Sequence, residues 1–148
     1  MKKIFFVIAI CFLLIFQISF SQTDKKIIYT DKAPKPIGPY SQAILSGNTL
    51  YLSGQIALDS STGKIIEGDI QKEARQVLDN IKNVLETAGY KMKDIVKTTI
   101  YLTDMENFAA VNKIYATYFE GNFPARETVQ VAALPKKARV EISVIAVK

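Results

Sequence analysis

A helical pattern followed closely by a strand pattern restricts the possible folds of this chain more than any other feature. From Ile70 to Ala88, apolar residues recur at a spacing that places them on one face of a helix, which Asp69 can cap and Gly89 can end. From Ile95 to Thr103 the alternation predicts a strand. One side of it would carry Val96, Thr98, Ile100 and Leu102.

Further patterns complete the predicted fold. Two short apolar runs, 42–45 and 49–53, flank Ser46-Gly47-Asn48 and predict a hairpin. Asp104 or Asn107 would open a second helix that ends near Gly121, and its core side would carry Phe108, Val111, Tyr115 and Phe119. The last strands are predicted at 126–132 and 138–147. Because the connections after both helices are short, we predict an α+β fold, a mixed β-sheet with two helices packed on one face.

The last strand predicts contact between subunits. One side of it is apolar, with Val140, Ile142, Val144 and Ala146. The other side begins polar and ends apolar, with Arg139, Glu141, Ser143, Ile145 and Val147. A half-apolar second face favours burial in a homo-oligomer, and the alternative is a partly apolar surface on a monomer.

The N-terminal 21 residues have the pattern of a secretory signal peptide. Lys2 and Lys3 precede an apolar run, and Ser19-Phe20-Ser21 offers small residues for cleavage. The alternative is a retained membrane anchor. The length of the apolar run argues against it, because a spanning helix needs roughly 20 apolar residues and this run is shorter. We predict a signal peptide at 1–21, a single domain at 22–148, and a periplasmic or extracellular location.

Composition limits the chemistry of the chain. It has no histidine and one cysteine, Cys11, which lies within the predicted leader. The absence of histidine argues against a Ser-His-Asp hydrolase and a His-ligated metal site. The net charge is +5 and the lysines are scattered along the chain, which argues against a nucleic-acid-binding stripe.

Arg126 is the strongest single candidate for a functional residue. It follows a Pro-containing loop, Asn122-Phe123-Pro124-Ala125, and begins a predicted strand. A guanidinium held there can bind a carboxylate through two parallel hydrogen bonds. Thr128 shares its strand face. The structural alternative is that Arg126 forms an ion pair with Glu141 on a neighbouring strand.

Three other segments offer polar groups. Asn112 falls between Phe108 and Tyr115 on the core side of the second helix, where a buried amide needs hydrogen bonds. The turn at 37–41 presents the Tyr40 hydroxyl, and Gly54 permits close backbone approach. The structural alternatives are a core tyrosine at Tyr40 and a β-bulge at Gly54.

Taken together, these segments resemble the reactive intermediate deaminase (Rid) family. The motifs occur in the family's order and cover nearly all of residues 27–148. They are Ile37-Gly38-Pro39-Tyr40-Ser41-Gln42, Leu52-Ser53-Gly54-Gln55-Ile56, Leu78-Asp79-Asn80-Ile81, Asp94-Ile95-Val96-Lys97-Thr98-Thr99, Val111-Asn112, Phe123-Pro124-Ala125-Arg126 and Val140-Glu141-Ile142.

The resemblance implies a chorismate-mutase-like fold and a homotrimer with clefts at the subunit interfaces. It implies hydrolysis of 2-imino acids or enamines, such as 2-aminoacrylate or 2-iminopropanoate, to 2-oxo acids and ammonia, without metal or cofactor. Arg126 would bind the substrate carboxylate and Glu141 would act near the attacking water. The cleft would be lined by Tyr40, Gly54, Asn112 and Thr128.

Two features depart from the family pattern. Thr128 stands where many deaminase members carry a cysteine, and most members lack a signal peptide. Two other functions stay open, a non-enzymatic trimer that binds small carboxylates and a ribonuclease or translation inhibitor. Imine turnover above the spontaneous rate would separate the first from an enzyme, whereas the second needs clustered basic residues and access to ribosomes.

Overall fold

Six strands form one mixed sheet in the computed structural model, which describes residues 24–148. The strands are β1 Lys25–Ile28, β2 Ala43–Ser46, β3 Thr49–Gln55, β4 Ile95–Leu102, β5 Ala125–Gln130 and β6 Val140–Val147. Their order across the sheet is β1-β2-β3-β6-β4-β5. Only β4 and β5 pair in parallel, and the other neighbours are antiparallel. The predicted leader at 1–21 lies outside the described residues.

Two helices pack on each other, and the longer one covers the sheet. They are α1 Ile70–Thr87 and α2 Phe108–Ala116. As predicted, the Asp69 side chain caps α1 by accepting a hydrogen bond of 2.9 Å from the Lys72 backbone N–H. Gly89, with φ of 81°, follows the end of the helix in the left-handed region that glycine tolerates. The predicted α+β fold with a mixed sheet and two helices is confirmed.

The hydrophobic core lies between the helices and the inward face of the sheet. Both helices and all strands except β5 contribute buried side chains to it. The largest fully buried apolar residues include Leu50, Leu78, Ile81, Leu85, Ile100, Leu102 and Ile142. The alternation of β6 is regular, with Val140, Ile142, Val144 and Ala146 buried as predicted.

Two local predictions were wrong. Val96 does not share the side of Thr98: it is 47 % exposed, because the register of β4 against β6 shifts between Ile95 and Lys97 and turns Val96 away from the core. The second helix ends at Ala116, well before Gly121, and a separate 3-10 turn, Met105–Asn107, precedes it. Asp104 caps that turn, through a hydrogen bond from the Glu106 backbone N–H.

The face of the sheet opposite the helices carries exposed apolar side chains in the described part of the chain. Tyr51 and Val129 on this face are 50 % and 42 % exposed, and Ile145 lies beside Tyr51 across the β3–β6 ladder. The face is therefore partly apolar, as the last strand predicts. Among the described helices, none has the length and apolar character needed to cross a membrane.

Candidate functional site

Arg126 lies at the start of β5, at the edge of the sheet. Its ladder partner on β4 is Thr98, which is fully buried, so Arg126 faces the side of the sheet that the helices cover. It lines a pocket of about 420 Å³ between α2 and the loop before β5. The other lining residues are Asn112, Tyr115, Ala116, Phe123 and Pro124.

The Arg126 guanidinium is held by aromatic rings. Its central carbon lies 4.9 Å from the Tyr115 ring centre and 5.9 Å from that of Phe108. None of the ion pairs within residues 24–148 involves Arg126, whereas Arg139 pairs with Glu73 at 2.7 Å. A guanidinium packed on rings keeps its N–H donors available, and these match the geometry of a carboxylate.

Glu141 lies on β6 in a second pocket, of about 290 Å³. This pocket is lined by Ile37, Tyr40, Ser53, Gly54, Ile56, Pro135 and Glu141. Glu141 is half-buried, and no cation forms an ion pair with it in the part of the chain that the structure describes. Burial therefore raises the pKa of the Glu141 carboxyl above its ordinary value. A carboxylate with a raised pKa is a stronger proton acceptor than an ordinary glutamate.

Gly54 makes room for the Glu141 carboxylate. The pairing of β3 with β6 shifts register between Leu52 and Gln55, so Gly54 lies in a bulge. A Cβ at Gly54 would lie 2.0 Å from Glu141 Oε1 and 2.8 Å from its carboxyl carbon. Glycine is thus required for close approach, which the sequence predicted, and it also occupies a bulge, which was the alternative.

The turn that carries Tyr40 is fixed by buried amides and hydroxyls. The Tyr40 hydroxyl accepts a hydrogen bond of 3.1 Å from the Ile37 backbone N–H, and its ring is 47 % exposed, so it is not a core residue. Ser53 Oγ donates to the Ser41 carbonyl at 2.7 Å. Gln42 is buried and its amide bonds to the backbone at Thr30, Ala33 and Pro34. The hydroxyl proton of Tyr40 has no acceptor within residues 24–148, so it is available to a ligand.

The two pockets open on opposite faces of one sheet. Arg126 shares the helix-covered face with Thr98, whereas Glu141 lies between Val140 and Ile142, both fully buried, and so faces the other way. Glu141 also pairs with Tyr101, three residues along β4 from Thr98. These spacings put the two Cα atoms roughly 14 Å apart. An ion pair between Arg126 and Glu141 of one chain is therefore excluded, and that alternative was wrong.

Thr128 and Asn112 lie on the same side of the sheet as Arg126. Thr128 follows Arg126 on the same face of β5, and its Oγ1 is buried without a hydrogen-bond partner in the described chain. It does not line the Arg126 pocket. Asn112 is half-buried rather than fully buried, and it lines that pocket.

Sequence reasoning missed several supporting residues. Tyr115 was predicted only as a core residue, yet it lies against Arg126 and bonds to Thr98 at 3.0 Å. Glu73 is buried on α1 and binds both the Arg139 side chain and its backbone N–H, which anchors the segment just before Glu141. Its polar character within a helix pattern was the available signal, because a buried carboxylate requires a partner.

Other parts of the surface offer less chemistry. A pocket of about 630 Å³ lies between the ends of α1 and α2, and none of the predicted site residues lines it. Its charges are mixed, with Lys82, Lys91, Lys93, Glu86 and Glu120. Within residues 24–148, no group of three or more His, Cys, Asp or Glu side chains is placed to hold a metal ion.

Residues 30–148 of the chain match the family described as "Endoribonuclease L-PSP". A RutC family protein of Pyrococcus horikoshii is 54% identical over 124 residues, which cover 84% of this chain and 98% of that protein. The mouse protein named 2-iminobutanoate/2-iminopropanoate deaminase is 51% identical over 128 residues, which cover 86% and 95% respectively.

A solved structure is also similar to this chain in sequence and fold. It is a protein of unknown function of the conserved Rid protein family from Yersinia pestis, with 55% identity and a TM-score of 0.82 over 84% of this chain and 100% of that one. The prediction of a deaminase-type enzyme is confirmed at the level of relatives, since proteins about 50% identical over most of the chain carry that name. The chain belongs to the endoribonuclease L-PSP family, which includes the Rid proteins.

Proposed function

We propose that this protein hydrolyses 2-imino acids, or the enamines in equilibrium with them, to 2-oxo acids and ammonia. The observation that carries the proposal is the Arg126 guanidinium, which faces a pocket, rests on two aromatic rings and lacks a carboxylate partner within residues 24–148. The names of the mammalian relatives supply the substrate class. Small substrates such as 2-aminoacrylate and 2-iminopropanoate fit this scheme.

Arg126 binds the substrate carboxylate in this mechanism. Two parallel N–H···O bonds fix the planar carboxylate and hold the adjacent imine carbon in one place. The imine carbon is already electrophilic, so positioning supplies much of the rate increase. Asn112 lies beside Arg126 and can bind a second polar group of the substrate.

Glu141 moves the protons. As a carboxylate it takes a proton from water, whose oxygen adds to the carbon of the protonated imine and gives a neutral carbinolamine. The protonated Glu141 then donates to the nitrogen, and the carbon–nitrogen bond breaks as the hydroxyl oxygen forms the carbonyl of the 2-oxo acid. The hydroxyl proton returns to Glu141 and leaves with ammonia as ammonium. A raised pKa suits this carboxyl to both steps. The Tyr40 hydroxyl and the backbone at Gly54 line the same pocket.

A homotrimer would bring Arg126 of one subunit and Glu141 of another into the same active site. Arg126 and Glu141 face opposite sides of the sheet in one chain, so one active site needs them from different chains. The uncovered, partly apolar face with Tyr51, Val129 and Ile145 supports burial between subunits. We therefore place the proposed sites in three clefts between neighbouring subunits.

The direct test generates imines in place. An L-amino-acid oxidase converts an amino acid to its imine in the presence or absence of this protein, and release of the 2-oxo acid is followed with time. Acceleration above the spontaneous rate is expected, with no requirement for added metal or cofactor. An unchanged rate at micromolar protein would contradict the proposal.

Two alternatives give different outcomes in the same assays. A carboxylate-binding trimer would bind 2-oxobutanoate without accelerating imine hydrolysis. The family description names an endoribonuclease, so RNA cleavage should be measured in parallel with the wild-type protein and the Arg126→Ala variant. Cleavage of RNA without imine turnover would favour that function.

A further inference from the structure

Thr98 and Tyr115 form a connected unit with Arg126. Thr98 is the ladder partner of Arg126 on β4, so the backbone sets the distance between them. The Thr98 and Tyr115 hydroxyl oxygens lie 3.0 Å apart in a hydrogen bond that joins β4 to α2. The Tyr115 ring in turn lies 4.9 Å from the guanidinium carbon of Arg126. Both hydroxyl-bearing residues are buried, at 0 % and 3 % exposure.

This unit fixes a side chain that otherwise has little to hold it. Arg126 has no ion-pair partner within residues 24–148, so its long side chain would move freely without the rings. A mobile arginine loses rotamer freedom when it binds a ligand, and that loss weakens binding. An aromatic ring fixed at both its backbone and its hydroxyl provides a rigid surface for the guanidinium.

We propose that Tyr115 and Thr98 are positioning residues, in which the Thr98–Tyr115 hydrogen bond holds the ring that orients the Arg126 guanidinium toward a carboxylate ligand. The proposal rests on the proposed function for the identity of that ligand. Neither hydroxyl takes part in the chemical step. Because Arg126 holds the carboxylate both before and during the reaction, loss of positioning should raise KM more than it lowers kcat.

A nearby tyrosine provides a matched control. Tyr118 lies three residues after Tyr115, just past the end of α2, and its hydroxyl donates a hydrogen bond of 2.7 Å to Asp79 on α1. Tyr118 does not line the Arg126 pocket. Tyr118→Phe therefore removes a comparable hydroxyl from the same region without changing the surface under Arg126.

The experiment measures binding and turnover for a short series of variants. Titration calorimetry gives the Kd of 2-oxobutanoate, and the oxidase assay gives KM and kcat. Tyr115→Phe and Thr98→Val should each weaken binding roughly fivefold, the size expected for one lost hydrogen bond. Thr98→Ser should restore binding because it keeps the hydroxyl, and Tyr118→Phe should bind as the wild type does. The double variant, Tyr115→Phe with Thr98→Val, should bind no worse than either single variant, because all three lack the same hydrogen bond.

The outcomes separate positioning from simple core packing. If Tyr115→Phe binds 2-oxobutanoate like the wild-type protein, with only a lower melting temperature, the proposal is overturned. Should Thr98→Val fail to fold, Tyr115→Phe decides the question alone. If the wild type binds 2-oxobutanoate but does not hydrolyse imines, the proposed function fails while the Kd series still decides positioning. If the wild type does not bind it, positioning for a carboxylate is overturned.

Discussion

Gly54 and the Glu141 carboxylate lie so close together that a side chain at position 54 would overlap the carboxylate where it now stands. A Cβ there would lie 2.0 Å from Glu141 Oε1 and 3.0 Å from its Cγ. The bulge in β3 brings the glycine backbone to this position, and the carboxylate fills the space that a side chain would take. The sequence of β3 therefore sets the position of a side chain on β6.

Gly54→Ala should reduce imine hydrolysis by displacing the Glu141 carboxylate. The side chain can rotate away, so the cost in folding stability should be small, about 1 kcal/mol, the low end for overpacking. Steady-state kinetics and thermal unfolding measure both effects. In a Glu141→Gln background the same change should reduce the rate little further, because both changes act on one group. Additive losses would show that Gly54 acts independently of Glu141.

Glu141→Gln should bind a 2-oxo acid normally but lose rate, because the amide keeps the shape and cannot accept the proton. The rate of the wild type should fall as pH is lowered through the raised pKa of Glu141, at a pH above the ordinary glutamate value. A pH–rate profile of kcat tests this, and Glu141→Gln should lack that acidic limb. A profile unchanged by the substitution would assign the proton transfer to another group.

The same carboxyl has a defined effect on stability. Its pKa is raised in the folded state, so the folded chain binds more protons than the unfolded chain between the two pKa values. Stability therefore falls as pH rises from the unfolded pKa to the folded pKa. Glu141→Gln should be at least as stable as the wild type near neutral pH, and the difference should disappear in acid. Chemical denaturation at several pH values measures it.

Mixing two inactive variants should restore activity if the site is shared between subunits. Arg126→Ala and Glu141→Gln should each have little activity alone, but a mixed trimer would contain one cleft with both wild-type residues. Random assembly of equal amounts should give about a quarter of wild-type activity for a ring of three head-to-tail interfaces. The subunits are mixed by co-expression, and light scattering should give three times the mass of one chain. A monomer, or no recovery in mixed trimers, would contradict shared sites.

Export is tested by the mature N-terminus. If residues 1–21 form a signal peptide, the protein should begin at or near Gln22 and be released in soluble form by osmotic shock. Mass spectrometry of the released material checks this. An intact Met1 or strict retention in the membrane would favour the anchor.

Local sequence patterns predicted much of the fold, but they did not predict that Arg126 and Glu141 lie on opposite faces of the sheet. The Asp69 cap and the alternation of β6 depend on neighbours in sequence, so they could be read directly. Val96 was misplaced because one irregular position reverses every side chain before it, and no sequence signal marked that shift.

The relation between Arg126 and Glu141 required the strand register. Both residues stand out in the sequence, yet their faces are set by pairing across β4, which joins segments far apart in the chain. The same limit hid the role of Tyr115. A helical pattern predicts that its side chain points inward, but not that Arg126 and Thr98 lie beneath it.

Arg126→Ala should abolish carboxylate binding and imine hydrolysis while leaving the fold intact. A charged hydrogen bond contributes about 1.5–3 kcal/mol, so loss of two should weaken binding by roughly a hundredfold or more. The fold should survive because Arg126 forms no ion pair within residues 24–148, and its contact with the aromatic rings is worth about 0.5–1 kcal/mol. Titration calorimetry with 2-oxobutanoate and thermal unfolding measure the two effects.

Arg126→Lys separates charge from geometry. Lysine keeps the positive charge but cannot form the planar, two-pronged contact, so we expect it to fail nearly as badly as alanine. Arg139 is a matched control, because its guanidinium is bound to Glu73 and Gly68 and does not line the Arg126 pocket. Arg139→Lys should lower stability and leave carboxylate affinity largely unchanged. If Arg126→Lys retained full activity, a simple positive charge would suffice, and the two-pronged contact would be ruled out as the basis of binding.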